Sequence, residues 1–380
     1  MKILPWWKIR RELSRPFKQL LSLPIRMSSF LFGRIFYDRF LKNKASIRKG
    51  ARQFNKKICL YVIYPSSTEC ATQLLTIKSI LNDSFSLIVV SNKTLTSQVR
   101  EQILEQCSVL IERVNFGYDF GAYRDGILFL KHHGYLRDIE HLWLLNDSCW
   151  YPMSDRSWPQ LALEKSSDFV GATSAFGLPK NLGVSDSGAV TDYRVTSRNF
   201  HYASYSLMIS RKVVCDTRFI QFFCKLAISN NKRYTVRRGE IGLTQLILRM
   251  NYSHCDTHET SGIKNTLTSL SDNELRMLIE NLTTLNRNFL RLGKEKALAG
   301  FEGGSCRSNY DRVFAEDFVV RCVARQGLCY TLPVWLIEKN SFQFLKKSLS
   351  FMNSDNKKII QSFANSSLSV SNDIRKEMLR

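Results

Sequence analysis

The chain has 380 residues, 44% of them hydrophobic, enough for one large or two modest domains with a full core. Its formal net charge is +22, but residues 1 to 57 hold sixteen Lys and Arg against only Glu12 and Asp38, so +14 lies there. The rest of the chain is only mildly basic and carries no motif that reads RNA or DNA, so no nucleic-acid partner is expected.

In that first segment charge alternates with bulk: Trp6-Trp7, Phe17, Leu20-Leu21, Phe30-Leu31-Phe32, Ile35-Phe36-Tyr37 and Phe40-Leu41. Lys and Arg interleaved with Trp, Phe and Leu is the makeup of an interfacial amphipathic segment. Each basic residue near an anionic leaflet contributes about 1 kcal/mol. The expectation is attachment to an anionic membrane surface, with a solvated basic arm as the plainer alternative. Pro5, Pro16 and Pro24 divide the segment into short pieces. No uncharged apolar run approaches the roughly 20 residues of a transmembrane helix, and no signal-peptide core is recognisable.

The ten cysteines form no CxxC pair, and Cys59 and Cys107 sit among apolar residues, which is the usage of reduced thiols. His254-Cys255-x-x-His258 lacks the second ligand pair that a zinc site needs. Cysteine usage and the lack of an export signal together predict a protein on the cytoplasmic side, peripheral on the membrane.

Beyond residue 57 strand and helix patterns alternate. Lys57 to Tyr64 (KICLYVIY) reads as a strand ended by Pro65-Ser66-Ser67. Cys70 to Leu81 is a helical pattern, Ser86 to Val90 a strand, Thr96 to Gln106 a helix and Val109 to Val114 a strand. A helix then runs to a stop at Gly134, and Leu142 to Leu145 is again a strand. Phe169 to Ala172 and Tyr205 to Ile209 read as further strands, and Val213 to Ser229 as a helix. Gly177 to Ser197, rich in Gly, Ser, Asp and Thr, reads as a long loop of the kind that covers binding sites. Past Asp272 the pattern turns helical and polar. This alternation predicts an α/β fold with a mainly parallel sheet flanked by helices. The expected division is a basic segment over 1–57, an α/β domain over 58–270 and a mostly helical region over 271–380.

The most informative stretch is Asn115-Phe116-Gly117-Tyr118-Asp119-Phe120-Gly121-Ala122-Tyr123-Arg124-Asp125-Gly126, followed by Leu144-Leu145-Asn146-Asp147-Ser148. Both stretches follow strands, and open α/β sheets bind ligands outside the carboxyl ends of their strands. Asp119 reads as an N-cap, with the helix starting at Phe120 or Gly121. Gly117 and Gly121 permit positive φ or close approach of a ligand. The helix N-terminus suits a phosphate, and Arg124 adds a fork-shaped cationic donor. Taken singly, each residue also fits an ordinary glycine turn with a cap.

These residues resemble the rhamnan synthesis protein F family of bacterial polysaccharide glycosyltransferases and, more distantly, the inverting GT-A enzymes. His201-Tyr202-Ala203-Ser204-Tyr205, Gly239-Glu240-Ile241-Gly242-Leu243-Thr244 and Phe344-Leu345-Lys346-Lys347 resemble later segments of the family in the same order. The resemblance implies a GT-A-like, Rossmann-type fold. It implies transfer of a sugar, rhamnose by the family name, from a nucleotide-sugar donor to a growing, lipid-linked cell-surface polysaccharide, with inversion.

Such a transfer needs a base for the acceptor hydroxyl and neutralisation of the leaving diphosphate. The resemblance offers Asp147 for the second need, either through Mg²⁺ or Mn²⁺ or by binding the sugar or ribose directly. Many GT-A enzymes have two carboxylates where this chain has Asn146-Asp147-Ser148, so Arg124, Arg237 or Arg238 are alternative sources of charge. Glu240 is the candidate base, at the start of a helix (EIGLTQLILRM). Its plainer role is a first-turn acid complementing the helix dipole, and that of Asp147 a strand-end turn residue. Asn115, Gly117, Asp119, Gly121, Arg124, Asn146 and Ser148 form the expected donor site, with Tyr64 and Ser66 near the nucleotide base. His201 and Tyr205 are the expected acceptor site. The rival reading is a sugar-binding or assembly protein without catalysis.

Overall fold

Uninterrupted apolar runs form the central strands because both faces of the sheet are covered. The computed structural model describes residues 32–65, 69–176, 195–285, 288–348, 354–368 and 370–379. The strands in chain order are β1 Ser46–Lys49, β2 Lys57–Ile63, β3 Ser86–Ser91, β4 Val109–Glu112, β5 His141–Asn146, β6 Cys149–Trp150, β7 Phe169–Gly171, β8 Ser174–Ala175, β9 His201–Tyr202, β10 Ser206–Ser210, β11 His254–Asp256, β12 Phe301–Glu302, β13 Ser305–Cys306 and β14 Leu345–Lys346. Eight of them form one sheet in the order β1-β4-β3-β2-β5-β10-β7-β11. The strands β4-β3-β2-β5 are mutually parallel. β10 pairs antiparallel with β5 and β7, and β11 returns parallel to β7. This is the mainly parallel α/β sheet that the alternating pattern predicts.

Side chains alternate between two cores with the period of 2 that a pleated strand imposes. From β2, Ile58, Leu60 and Val62 face a core that includes Tyr123 and Ile127 of the helix Tyr118–His132 and Phe219 and Phe223 of the helix Thr217–Lys225. Cys59, Tyr61 and Ile63 face the other core. That core holds Ile77 and Ile80 of the helix Ala71–Asn82 and, from the later helices, Leu278, Val319 and Phe363. All ten cysteines are free thiols. Among the described residues no helix is long and apolar enough to cross a membrane.

Three elements differ from the sequence expectations. β1 is a sheet edge, paired antiparallel with β4. Its residues SIRK are mostly exposed, so no hydrophobic alternation marks them, and charge on an edge strand is a usual guard against further pairing. The helix expected over Val213 to Ser229 is two helices, Arg211–Val214 and Thr217–Lys225, because Asp216 caps the second by accepting from the Arg218 N–H. β11 is a three-residue strand whose sequence, His-Cys-Asp, gives no strand signal. Most of the expected lid, residues 177–194, lies outside the described residues, as do residues 1–31 and Ser66.

The described part of the basic segment is partly built into the fold. A helical run over 32–44 buries Tyr37 completely while leaving Phe32, Ile35, Phe36 and Phe40 exposed. Tyr37 donates to the Asp125 carboxylate, and Arg113 Nε lies 2.7 Å from the same oxygen. Asp38 takes Arg124 in a two-pronged pair, 2.8 Å on each side. Arg113 is fully buried and Asp125 nearly so, whereas a third of the Asp38 side chain is open. Removing one partner of a buried ion pair strands the other charge. Arg113→Met is therefore expected to cost about 3–5 kcal/mol of unfolding free energy. Arg124→Met is expected to cost less, because water can still reach Asp38. Urea unfolding of both variants checks the order.

Candidate functional site

The chain runs outward from β2 through β3 to β4 and then crosses back to β5 on the far side of β2. The carboxyl ends of β2 and β5 form the topological switch point, where such sheets bind ligands. Asp147 stands at this point. Its N–H donates to Val62 O at 3.0 Å. Its Oδ2 accepts from the Tyr64 N–H at 2.8 Å and from Gln73 Nε2 at 3.3 Å. The carboxylate thus ties the ends of both strands to the first turn of the Ala71–Asn82 helix. Oδ1 accepts no hydrogen bond among the described residues. Tyr64 is exposed beside it.

The signature helix begins earlier than the sequence suggests. Gly117, with φ +83°, is its N-cap, Tyr118 is its first residue and Asp119 lies in its first turn. Asp119 is therefore not the cap. Instead its Oδ2 accepts from Asn146 Nδ2 at 3.1 Å. Asn146 also donates to Ser204 O at 3.3 Å, and its Oδ1 accepts from the Ser148 N–H at 3.1 Å. Asn115 holds a buried Oδ1 with no hydrogen-bond partner among the described residues. A Cβ on Gly121 would come within 2.2 Å of Phe116 O, so this glycine closes the turn. Arg124 is not at the site. It lies five residues after Asp119, about 140° around the helix, and is committed to Asp38 and Phe223 O.

Glu240 comes to the same place from a different element. It does not open a helix, so the first-turn dipole role does not apply to it. It lies in a π-helical segment, Val236–Ile241, within a continuous helical run from Lys232 to Arg249. π-segments of this kind recur at functional sites. Gly239 lets this helix approach the signature helix: a Cβ there would meet Phe120 ring carbons at 2.3 Å. Glu240 Oε1 accepts from the Ser204 N–H at 2.7 Å. The same serine's carbonyl accepts from Asn146 and from Tyr123 OH at 2.9 Å. A continuous chain of hydrogen bonds therefore runs Asp119–Asn146–Ser204–Glu240. His201 Nε2 lies 3.9 Å from Glu240 Oε2. Its Nδ1 is 2.7 Å from Asn199 O, and a carbonyl only accepts, so Nδ1 carries the proton.

Tyr205 does not line an open acceptor pocket. It is 1% exposed, and its hydroxyl meets Thr173 Oγ1 at 2.9 Å. Its ring lies beneath the ammonium of Lys346, 4.2 Å from the centroid. Lys346 Nζ donates to Ser148 Oγ at 3.0 Å. Lys347, paired with Glu377 at 3.3 Å, sends its N–H to Ser148 O. Of the two later arginines, Arg237 is exposed and Arg238 stacks on Tyr234. The cations at the acidic site thus come from the Phe344-Leu345-Lys346-Lys347 segment, in which nothing local in the sequence marks a site.

Burial, then the nearby Asp147 charge, pushes the Asp119 carboxyl up to about 6. Burial also raises Asp147, partly offset by Lys347 and by the Tyr64 and Gln73 hydrogen bonds. An acid with a raised folded pKa favours the folded state fully below its unfolded pKa, and this contribution is lost as pH rises through the folded value. Asp119 should therefore weigh against stability near neutrality. Asp119→Asn, which keeps an acceptor for Asn146, is expected to stabilise the protein at pH 7.5 by on the order of 1 kcal/mol. The gain should shrink as pH falls through 6 towards 4, and thermal melts across that range check it.

The fold and site together define a Rossmann-like α/β protein with acidic, amide and lysine side chains gathered at its switch point. The chain belongs to the rhamnan synthesis protein F family, whose match spans residues 87–345. That membership places it among proteins of polysaccharide synthesis. It is 28% identical over 279 residues to the uncharacterized protein y4gN of Sinorhizobium fredii, covering 72% of this chain and 67% of the relative. It is 30% identical over 141 residues to the virulence protein VirA of Vibrio anguillarum, covering 36% of this chain and 44% of that relative.

Proposed function

We propose that the protein is a glycosyltransferase that moves a sugar from a nucleotide-sugar donor to a growing, lipid-linked surface polysaccharide. The observation that carries this reading is the hydrogen-bonded chain from Asp119 to Glu240 beside Asp147 at the sheet's switch point. The acceptor oxygen attacks the anomeric carbon, the bond from that carbon to the phosphate oxygen breaks, and its electron pair leaves with the nucleoside diphosphate. Glu240 takes the acceptor proton, held in place by the Ser204 N–H. The opposite-side attack this requires inverts the anomeric centre. In this reading Asn115, whose buried Oδ1 has no hydrogen-bond partner among the described residues, serves the donor with Asn146 and Ser148, and His201 serves the acceptor. The donor sugar suggested by the family name is rhamnose.

A divalent metal fits as a substrate-completed site. Asp147, whose Oδ1 accepts no hydrogen bond among the described residues, would supply one carboxylate ligand, with phosphates and water completing the shell. When bound, the ion would neutralise diphosphate charge. Among the described residues no three His, Cys, Asp or Glu side chains make an all-protein site.

The exposed Phe32, Ile35, Phe36 and Phe40, set among Arg34, Arg39, Lys42 and Lys44, suit the interface of an anionic bilayer. This supports a peripheral site of action on the cytoplasmic face, where a lipid-linked acceptor resides.

The test is calorimetric binding of dTDP-, UDP- and GDP-sugars, with and without Mn²⁺. One donor should bind selectively, and Asp147→Ala should weaken it about tenfold or more. Glu240→Gln should retain donor binding and lose turnover by about 10²-fold or more. Binding that survives in wild type without any turnover would favour the non-catalytic sugar-binding reading. Separately, replacing Phe32, Phe36 and Phe40 with Ser should abolish co-sedimentation with vesicles containing phosphatidylserine and leave donor binding unchanged.

A further inference from the structure

Lys346 is a buried cation that touches no carboxylate among the described residues. It is 9% exposed and lies where β14 pairs antiparallel with β6, Lys346 opposite Cys149 and Leu345 opposite Trp150. Phe344 pins this segment by stacking on Tyr151 at 5.0 Å and tilting against Tyr205 at 5.2 Å. The ammonium has three protons to donate. Ser148 Oγ takes one, and the faces of Tyr205 and Tyr330 lie 4.2 and 5.7 Å away. No carboxylate lies within 4.0 Å of it among the described residues. Burying an ammonium costs several kcal/mol unless an anion or a full set of acceptors compensates. Two ring faces, one hydroxyl and the neutral Cys149 thiol beside it supply only part of that.

The position is as telling as the burial. Ser148 directly follows Asp147, so Lys346 reaches the carboxyl end of β5 from the C-terminal side of the chain. Asp119 and Glu240 lie within its electrostatic reach but not in contact. A cation held this way is prepared for an anion that arrives with the ligand.

We infer that Lys346 binds the diphosphate of the nucleotide-sugar donor, an inference that rests on the transferase reading above. Two N–H donors then meet phosphate oxygens, and their charge offsets the negative charge that grows on the leaving nucleoside diphosphate. Ser148 and Tyr205 act as positioning residues: the hydroxyl fixes one proton of the ammonium, and the ring supports it from below.

The test measures calorimetric binding of dTDP, UDP and GDP, of the matching nucleosides, and of farnesyl diphosphate as a lipid-borne diphosphate, each in EDTA and again in Mn²⁺. Wild type, K346Q, K346R and S148A are compared, with melts to establish folding. The expected result is a K346Q loss of about tenfold or more for the preferred nucleoside diphosphate. The nucleoside affinity should not change, and K346R should recover part of the loss. A purely structural lysine would alter the melt and weaken nucleoside and nucleotide alike. Equal nucleotide binding by wild type and folded K346Q would overturn the inference and leave the transferase reading standing. A Lys346 dependence confined to farnesyl diphosphate would overturn it in favour of the acceptor. If wild type binds none of the nucleotides, the transferase reading itself fails. Should K346Q not fold, K346R and S148A decide: both must weaken nucleotide more than nucleoside, and parity overturns the inference.

Discussion

The helix Tyr118–His132 must satisfy two surfaces at once, and the rest of the site depends on how it does so. Its first turn presents Asp119 to Asn146 at the end of β5. Its opposite side carries Arg124 and Asp125, which hold Asp38, Tyr37 and Arg113. Charged residues buried on one side lock the rotation of the helix. With that rotation fixed, a carboxylate can stand largely desolvated on the other. The arrangement puts raised, mutually repelling acids at the switch point, a strain that the buried ion network elsewhere on the same helix helps to tolerate.

The same helix links the exposed aromatic face over 32–40 to the acidic cluster. Phe116, next to Asn115, stacks on Tyr37 at 5.6 Å and lies 6.3 Å from the Phe36 ring. One helix thus carries contacts to both, through Arg124 and Asp125 on one side and Asp119 on the other.

Much of the scaffold was legible in the sequence because its cause is local. β2, β3, β4 and β5 are apolar runs bounded by turn residues, and their ends fall within a residue or two of the expected places. That Asn146, Asp147 and Asp119 lie close together could be read from sequence because parallel strands deliver their carboxyl ends to one edge of a sheet. What misled was geometry that residue type does not encode. Gly117 and Tyr118 are both left-handed, which starts the helix before Asp119 rather than after it. Arg124 has suitable chemistry for a phosphate, but helical rotation points it away. Glu240 looked like a first-turn acid, yet it sits in the middle of a helical run whose π-turn aims it at Ser204.

The sequence by itself determined the α/β order, the strand ends that carry polar groups, the family, and the uneven placement of positive charge. The family follows from the resemblance of several motifs in order, and the rest from periodicity, short-range turn chemistry and composition, which act over a few residues. Only the tertiary structure decided which cations face the acids. Lys346 is 198 residues from Ser148 in the chain, and their contact exists because two short strands pair and Phe344 fills a gap between Tyr151 and Tyr205. Contacts at such separation depend on how whole layers pack, and no local pattern records them.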